Sequence, residues 1–454
     1  MLKAVKPAAG RIVETFETHS DKGVEKIVNA TDKSWQQWRT TSFTQRSTLM
    51  HHISTLLRSR KEELARLMAL EMGKVLKEGV SEIEKCAWVC EYYAQYAESF
   101  LENEFIETEA RRSFVSYQPL GTILAVMPWN FPFWQVFRFL APTLMAGNTA
   151  VLKHASNVPG CALAIEDLFR EAGFPENVFR TLLIGRKQVE NVIRHPAIKG
   201  VSLTGSTPAG KSVATIAGSE LKKCVLELGG SDPYLILKDA DLGKAAKICA
   251  SGRLLNAGQS CIGAKRFIVV KEVYTEFLEY FAQEMNQAVF GDPCDSETTM
   301  GPLARKDLRK ELHQQVVNSV KMGAGIVLGG EIPNRKGAFY PPTILENVKP
   351  GMPACDEELF GPVASVIRVK DEAEAIKVAN DTEFGLGAAI FTRDLKKGEH
   401  IAEIQLDAGC CFVNDFVKSD PRLPFGGIKT SGFGRELSTH GIKEFMNVKT
   451  VVVK

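Results

Sequence analysis

The feature that most constrains the fold is a change of hydrophobic rhythm near Gly121. Before it, residues 21–100 carry apolar side chains at helical spacing. In SFTQRSTLMHHISTLLRSRKEELARLMALEMGK, Leu49, Ile53, Leu56, Leu64, Leu67 and Leu70 fall three to four residues apart or at small multiples of that. After it come short apolar runs that do not alternate: GTILAVMP, AVLKH, VSLTGST from Val201, KKCVLELGG and DPYLILKDAD. Helical stretches, such as 162–172 and 208–217, fill several of the gaps. Strands that are apolar on both faces and return after a helix belong to a mostly parallel sheet covered on both sides. A second series follows: KRFIVV from Lys265, a helix over 273–289, GAGIVLGG, VASVIRV, a helix over 372–380, LGAAIFT and GCCFVND. The pattern predicts two α/β units of the doubly wound kind, joined near Gly229 and Gly230. The closing KTVVVK is β-prone and has no local partner, so it is expected to pair elsewhere, another subunit being one candidate.

Length and charge narrow the function. A chain of 454 residues exceeds the ~250–300 at which single cores stop growing, so two or three domains are expected. Fifty-six Lys and Arg against 54 Asp and Glu exclude a strongly basic nucleic-acid scaffold, and 44% hydrophobic residues exclude an acidic disordered chain. The N-terminus, MLKAVKPAAGRIVETF, has no apolar signal region. No stretch approaches the ~18 uninterrupted apolar residues of a spanning helix; the most apolar region, 131–145, is broken by Pro132, Arg138 and Pro142. The expectation is a cytoplasmic protein with neither membrane nor nucleic-acid partner. Its ten scattered cysteines are expected to be reduced thiols. Cys86 and Cys90 lie four apart with no second ligand pair, and no HxxxH occurs, so no metal is expected.

Four segments could carry chemistry, and each also has a plain structural reading. Cys261, in NAGQSCIGAKR, stands in a glycine-containing turn before a strand, with Lys265 and Arg266 close in sequence. That suits a nucleophilic thiol and equally a core cysteine. Glu227, in LELGGSDP, ends an apolar strand, either as an ordinary strand-end acid or as a base whose charged form burial disfavours. TGSTPAGK (204–211) follows a strand and opens a helix, which suits a phosphate at a helix N-terminus or a tight turn; it matches neither GxGxxG nor a P-loop. PWNFP (128–132) is a stiff loop presenting Asn130, as an oxyanion donor or as core packing.

In order, PWNFP, VLKHAS, GST, ELGG, GQSC, EELFGPV and PFGGIKTSGFGRE resemble the aldehyde dehydrogenase superfamily from about residue 10 to the C-terminus. The resemblance implies that Cys261 attacks the aldehyde carbon, that Asn130 and the Cys261 N–H stabilise the oxyanion, and that Glu227 activates water to hydrolyse the thioester. It implies a cofactor site built from Trp129, Lys153, Ser156, Gly205, Ser206, Leu228, Glu358 and Phe360. Many NAD-preferring members carry glutamate three residues after the lysine; Ser156 stands there, so NADP is admitted beside NAD. The sequence also resembles the shorter bacterial succinate semialdehyde dehydrogenases, in which Arg138, eight residues after Asn130, would hold the substrate carboxylate. A second arginine six residues before the nucleophile is replaced by Leu255, leaving Arg422 or Lys418 as substitutes, and Gly263 replaces a second cysteine that serves some relatives as a redox switch.

The implied architecture is a Rossmann-like dinucleotide-binding domain (1–108 and 121–228), an α/β catalytic domain (229–418), and an oligomerisation arm with the C-terminal tail (109–120 and 419–454), assembled as a homodimer or homotetramer. The expected reaction is oxidation of succinate semialdehyde to succinate. The alternatives are another small aldehyde such as glutarate semialdehyde or lactaldehyde, a CoA-acylating dehydrogenase, against which Glu227 argues, and a non-catalytic protein that keeps the fold.

Overall fold

The structure is a computed structural model describing residues 1–454. The amphipathic N-terminal half folds into helices α1 (Asp21–Trp38), α2 (Phe43–Ser59), α3 (Lys61–Met72) and α4 (Leu76–Phe100), whose apolar faces close over the largest core. They are preceded by a hairpin of β1 (Leu2–Lys6) and β2 (Arg11–Phe16) and followed by β3 (Glu104–Phe105) and β4 (Arg112–Pro119). The first α/β series then supplies β5 (Thr122–Met127), α5 (Trp134–Met145), β6 (Thr149–His154), α6 (Pro159–Glu171), β7 (Phe179–Thr181), α7 (Val189–Arg194), β8 (Ile198–Thr204), α8 (Thr207–Ser219) and β9 (Lys223–Glu227). The second supplies β10 (Asp232–Ile236), α9 (Leu242–Leu254), β11 (Ala264–Val270), β12 (Gly325–Leu328), β13 (Thr343–Glu346), β14 (Val363–Val369), β15 (Gly387–Phe391) and β16 (Cys410–Val413). Strands β17 (Gly432–Phe433) and β18 (Met446–Val453) complete the chain.

The strand order of the first sheet is β17-β9-β8-β5-β6-β7, parallel except for β17 at its edge. The order reverses between β5 and β8, so the turns leaving these strands diverge and open a crevice at their carboxyl ends. Pro128–Pro132 leave one side of it and Gly205–Ser206 the other. The second sheet, β12-β13-β14-β11-β10-β15-β16, is parallel apart from edge strand β12. Gly229 and Gly230 pass directly from the carboxyl end of β9 to the amino end of β10, so the crevice of the first sheet faces the amino edge of the second. The turn entering β11 carries Cys261 at that edge.

Helix α5 is buried along its whole length, as its nearly continuous apolar sequence requires. Its N-terminus is capped from α4: Glu82 Oε1 accepts hydrogen bonds from the N–H groups of Phe133 and Trp134, both at 2.9 Å, and its other oxygen is paired with Lys74. A carboxylate there satisfies two orphan donors and opposes the positive end of the helix dipole. This fixes the helix that carries Arg138.

The β-prone C-terminus finds its partner within the same chain: β18 pairs antiparallel with β4 over eight residues, from Met446 opposite Pro119 to Val453 opposite Arg112. Phe445 anchors the start of the tail, its carbonyl accepting from Asn148 Nδ2 (3.0 Å) while its ring packs at Gly200 of β8. Within 419–454, β17 adds to the first sheet opposite Leu226 and Glu227. At the other end, the β1–β2 turn reaches the second α/β series, Pro7 O accepting from Ala338 N at 3.0 Å. No helix is long and apolar enough to cross a membrane.

His154, at the end of β6, ties down the Pro128–Pro132 loop. Its Nδ1 accepts from Ala155 N (2.9 Å), which leaves the Nε2 proton to donate to Pro132 O (2.9 Å). Burial pushes its pKa down to about 4. The folded protein therefore binds fewer protons here than the unfolded chain between pH 6.5 and about 4, and stability falls as pH drops through that window. The expected loss is about 2–3 kcal/mol by pH 4.5. Urea midpoints at pH 7 and 4.5 for wild type and His154→Gln measure it; an unaltered pH slope in the variant assigns the loss to other groups.

Candidate active site

Two cavities meet at Cys261. The larger, about 540 Å³, is walled by Lys85, Trp134, Arg138, Ser260, Ser419 and Phe425 among others. The smaller, about 240 Å³, is walled by Trp129, Asn130, Gly205, Ser206, Leu228, Glu358 and Phe360 among others. Cys261 is the one residue that lines both. A thiol in that position reaches one molecule from each side.

The turn that presents it is unusual backbone. Asn256, Ala257 and Gly258 are consecutive left-handed residues, with φ of 54°, 53° and 73°. Only the glycine adopts this without cost, and here glycine is required twice over, since a Cβ at Gly258 would lie 2.3 Å from the carbonyl of Gly361. Hydrogen bonds hold the rest. Asn256 Nδ2 donates to Asn130 O (2.7 Å) and Gln259 O (3.2 Å), Asn256 N donates to Glu78 Oε1 (2.9 Å), and Gln259 Oε1 accepts from Ala304 N (2.8 Å). Strain kept in place by surrounding contacts is common where chemistry needs a fixed atom.

Burial pushes the Cys261 thiol up to about 12, against which Arg138 and Lys265 pull it down. At neutral pH it is therefore a protonated thiol. Lys265 is buried behind it, donating to Ser260 O (2.9 Å) and Cys261 O (2.7 Å) and lying 3.4 Å from Glu358. The Cys261 N–H donates to no backbone carbonyl. Asn130 Nδ2 donates to Gln259 O at 3.0 Å, two residues from the nucleophile, and the amide is buried. Asn130 and Cys261 thus line the same cavity.

Glu227 is buried at the end of β9, and neither carboxyl oxygen has a hydrogen-bond partner. Desolvation first, and then the neighbouring Glu436, hold its pKa well above the ordinary range, opposed by Arg138 and Arg435. Its side chain lines neither cavity: Oε1 would lie 2.7 Å from a Cβ placed on Gly426. The structure thus puts Glu227 beside the site, within charge range of Cys261, with its carboxyl turned behind the wall.

Six of the eight cofactor candidates line the smaller cavity. Trp129 and Phe360 meet edge to face at 5.8 Å. Glu358 Oε1 accepts from Gly230 N at 3.0 Å. Lys153 stands at the end of β6, outside that cavity, where burial and then Arg186 lower its pKa; Ser156 lies two residues beyond the strand. The residues present fit a dinucleotide. Ser206 is the N-cap of α8 yet makes no capping hydrogen bond, leaving its hydroxyl and the first-turn N–H groups available to a phosphate. Gly210, where a Cβ would lie 2.5 Å from Leu228, lets α8 approach the β9 turn closely. TGSTPAGK thus has a geometry that suits a phosphate although it does not match a glycine fingerprint.

Arg138 is buried in the larger cavity's wall, its Nε against Glu436 and Nη2 donating to Thr204 Oγ1 at 3.3 Å, with Phe425 4.7 Å away. Nη1 donates to no protein atom. Arg422 is not part of the site. Its side chain is 65% exposed and Asp420, two residues away, holds it through Nε (2.9 Å) and Nη2 (2.6 Å). Lys418 does line the cavity, paired with Asp415 at 2.6 Å. Sequence reading passed over Glu436, which stands in the quoted SGFGRE motif, and Asn256 and Lys85, which carried no signal beyond residue type.

A half-buried thiol shared by a crevice that suits a dinucleotide and by a second cavity points to a nucleotide-linked oxidoreductase that works through a covalent cysteine adduct. The chain matches the model of the aldehyde dehydrogenase family over residues 1–451, and it belongs to that family. It is 48% identical over 450 residues to a Synechocystis sp. protein named "Probable succinate-semialdehyde dehydrogenase (NADP(+))", with 99% of each chain covered. It is 46% identical over 453 residues to the Mycobacterium leprae succinate-semialdehyde dehydrogenase (NADP(+)), again with 99% of each covered. A crystal structure of succinic semialdehyde dehydrogenase from Streptococcus pyogenes, in complex with NADP+, superposes with a TM-score of 0.98 at 37% identity, all of both chains being covered.

With the resting thiol pushed up to about 12, alkylation of Cys261 in the cofactor-free protein is expected to accelerate about tenfold per pH unit from 7 to 9. Iodoacetamide labelling with peptide mapping measures it; a plateau below pH 9 would show a thiolate already formed.

Proposed function

We propose that this protein oxidises succinate semialdehyde to succinate with NADP, NAD being the second cofactor. The observation that carries the reading is the position of Cys261 as the one residue common to both cavities. The names of the relatives support the substrate and cofactor, as do Arg138 in the larger cavity and Ser156 where a carboxylate would repel a 2′-phosphate.

Cys261 Sγ attacks the aldehyde carbon, and the carbonyl electron pair moves to oxygen. The thiol proton passes to solvent water in the cavity as the C–S bond forms. Asn130 Nδ2 and the Cys261 N–H stabilise the oxyanion. NADP, when bound by Ser206, Glu358, Phe360 and, at its adenosine end, Lys153 and Ser156, supplies the hydride acceptor; Cys261 then holds a thioester. Once ionised, with Arg138 and Arg435 favouring its charged form, Glu227 takes a proton from water as the water adds to the thioester carbon, and returns it to the departing sulfur, releasing the acid and the thiol. For this the Glu227 carboxyl has to turn towards the sulfur, and because it makes no hydrogen bond at rest, turning breaks none. The two α/β units and the β4–β18 arm form the domain scheme we propose. The exposed Phe105, Ile106, Val448 and Val452 on that arm suit a homodimer or homotetramer.

One observation favours a second reading, a neutral aldehyde of similar size: the Arg138 guanidinium is already engaged by Glu436. The first reading expects kcat/KM for succinate semialdehyde to exceed that for butanal, which has the same chain length without the carboxylate, by at least about tenfold. Equal values give the second. In Glu227→Gln, a rapid burst of NADPH near one equivalent followed by a steady state slowed about 10²–10⁴-fold is expected; an unchanged steady state removes Glu227 as the base.

A further inference from the structure

Lys85 lies on α4, outside every motif that carried the family resemblance, yet its side chain lines the larger cavity. Its Nζ donates to Ser419 Oγ at 2.9 Å and sits 4.3 Å from the centroid of the Trp134 ring, and both of these residues also line the cavity. Trp134 and Arg138 are four residues apart on α5, so their side chains share one face of that helix. The ammonium and the guanidinium therefore border the same stretch of cavity wall.

No carboxylate pairs with Lys85. Glu82, on the same helix, is committed to Lys74 and to the N–H groups of Phe133 and Trp134. Asp420 is held bidentately by Arg422. Burial, and then the charge of Arg138, lower the Lys85 pKa to about 8. An ammonium withdrawn from water beside another cation, with only a hydroxyl and a ring face for company, is a site lacking an anion. Lys418 and Arg422, the other nearby cations, each have an acid of their own.

We propose that Lys85 is a specificity-determining residue that, with Arg138 and Ser419, binds the carboxylate of the substrate. It supplies from α4 the second positive charge that Leu255 does not. This rests on the reading of the substrate as succinate semialdehyde. The ammonium that would meet the carboxylate is the group that rests on the face of the Trp134 ring.

The test is kcat/KM for succinate semialdehyde and for butanal in wild type, Lys85→Met and Lys85→Arg. Methionine keeps the stem and removes the charge. The expected result is that the ratio of the two values falls about 10–100-fold in the methionine variant, through KM rather than kcat, and that arginine restores most of it. A ratio that survives Lys85→Met, with both aldehydes falling together or neither falling, overturns the role of Lys85 and leaves the substrate reading standing. A wild-type enzyme that does not prefer the carboxylated aldehyde overturns the substrate reading and this inference with it.

Discussion

Everything in the site depends on where the backbone delivers one sulfur atom. The left-handed turn Asn256–Gly258 sets Cys261 in the shared wall of two cavities, and the turn persists because both α/β units grip it. Asn256 binds the carbonyl of Asn130, from the first sheet's β5 turn, while Gly258 is pressed against Gly361 in the second unit. Three left-handed residues, two of them with side chains, cost of order 1–3 kcal/mol each at the non-glycine positions. The hydrogen bonds that the turn donates to Asn130 and Glu78 and accepts from Ala304 offset that cost and couple the Cys261 turn to the Asn130 loop. Asn130 and Cys261 are therefore one assembly, although 130 residues separate them.

The second organising constraint is electrostatic. Glu227, Glu436 and Arg138 are buried together, two acids around one cation. Desolvation raises both acids, and Glu227, the one left without a partner, is held well up. Pairing Glu436 with Arg138 leaves the other carboxyl chemically available, because a buried acid with no hydrogen bond is poised to take whatever proton or donor comes within reach. The same pair ties the C-terminal segment to α5. The SGFGRE sequence is thereby packed against the wall of the larger cavity through Glu436 and Arg138.

The fold was legible to a large extent. Non-alternating runs separated by helices could only be buried parallel strands, and the join at Gly229–Gly230 fell where β9 gives way to β10. The tail was legible as a strand but not in its pairing, since a short β-branched segment carries no address; Phe445 and Asn148, distant in sequence, choose β4 for it. At the site, Cys261, Asn130 and the Gly205–Ser206 loop were singled out through motif order, and the structure brings them to one cavity. Arg422 was misplaced because a guanidinium two residues from Asp420 is captured locally, a preference that shows only in the geometry of the turn. Lys85 was invisible, one lysine among many on an amphipathic helix.

The sequence by itself determined which residue types were present, in what order, and on strands or helices of what kind, because periodicity, glycine and proline act over a few residues. The tertiary structure decided which charges would be buried together, which cavity each side chain would face, and that a single thiol would stand in both. Those outcomes depend on contacts between segments a hundred or more residues apart, where burial removes water and makes each neighbour's charge count.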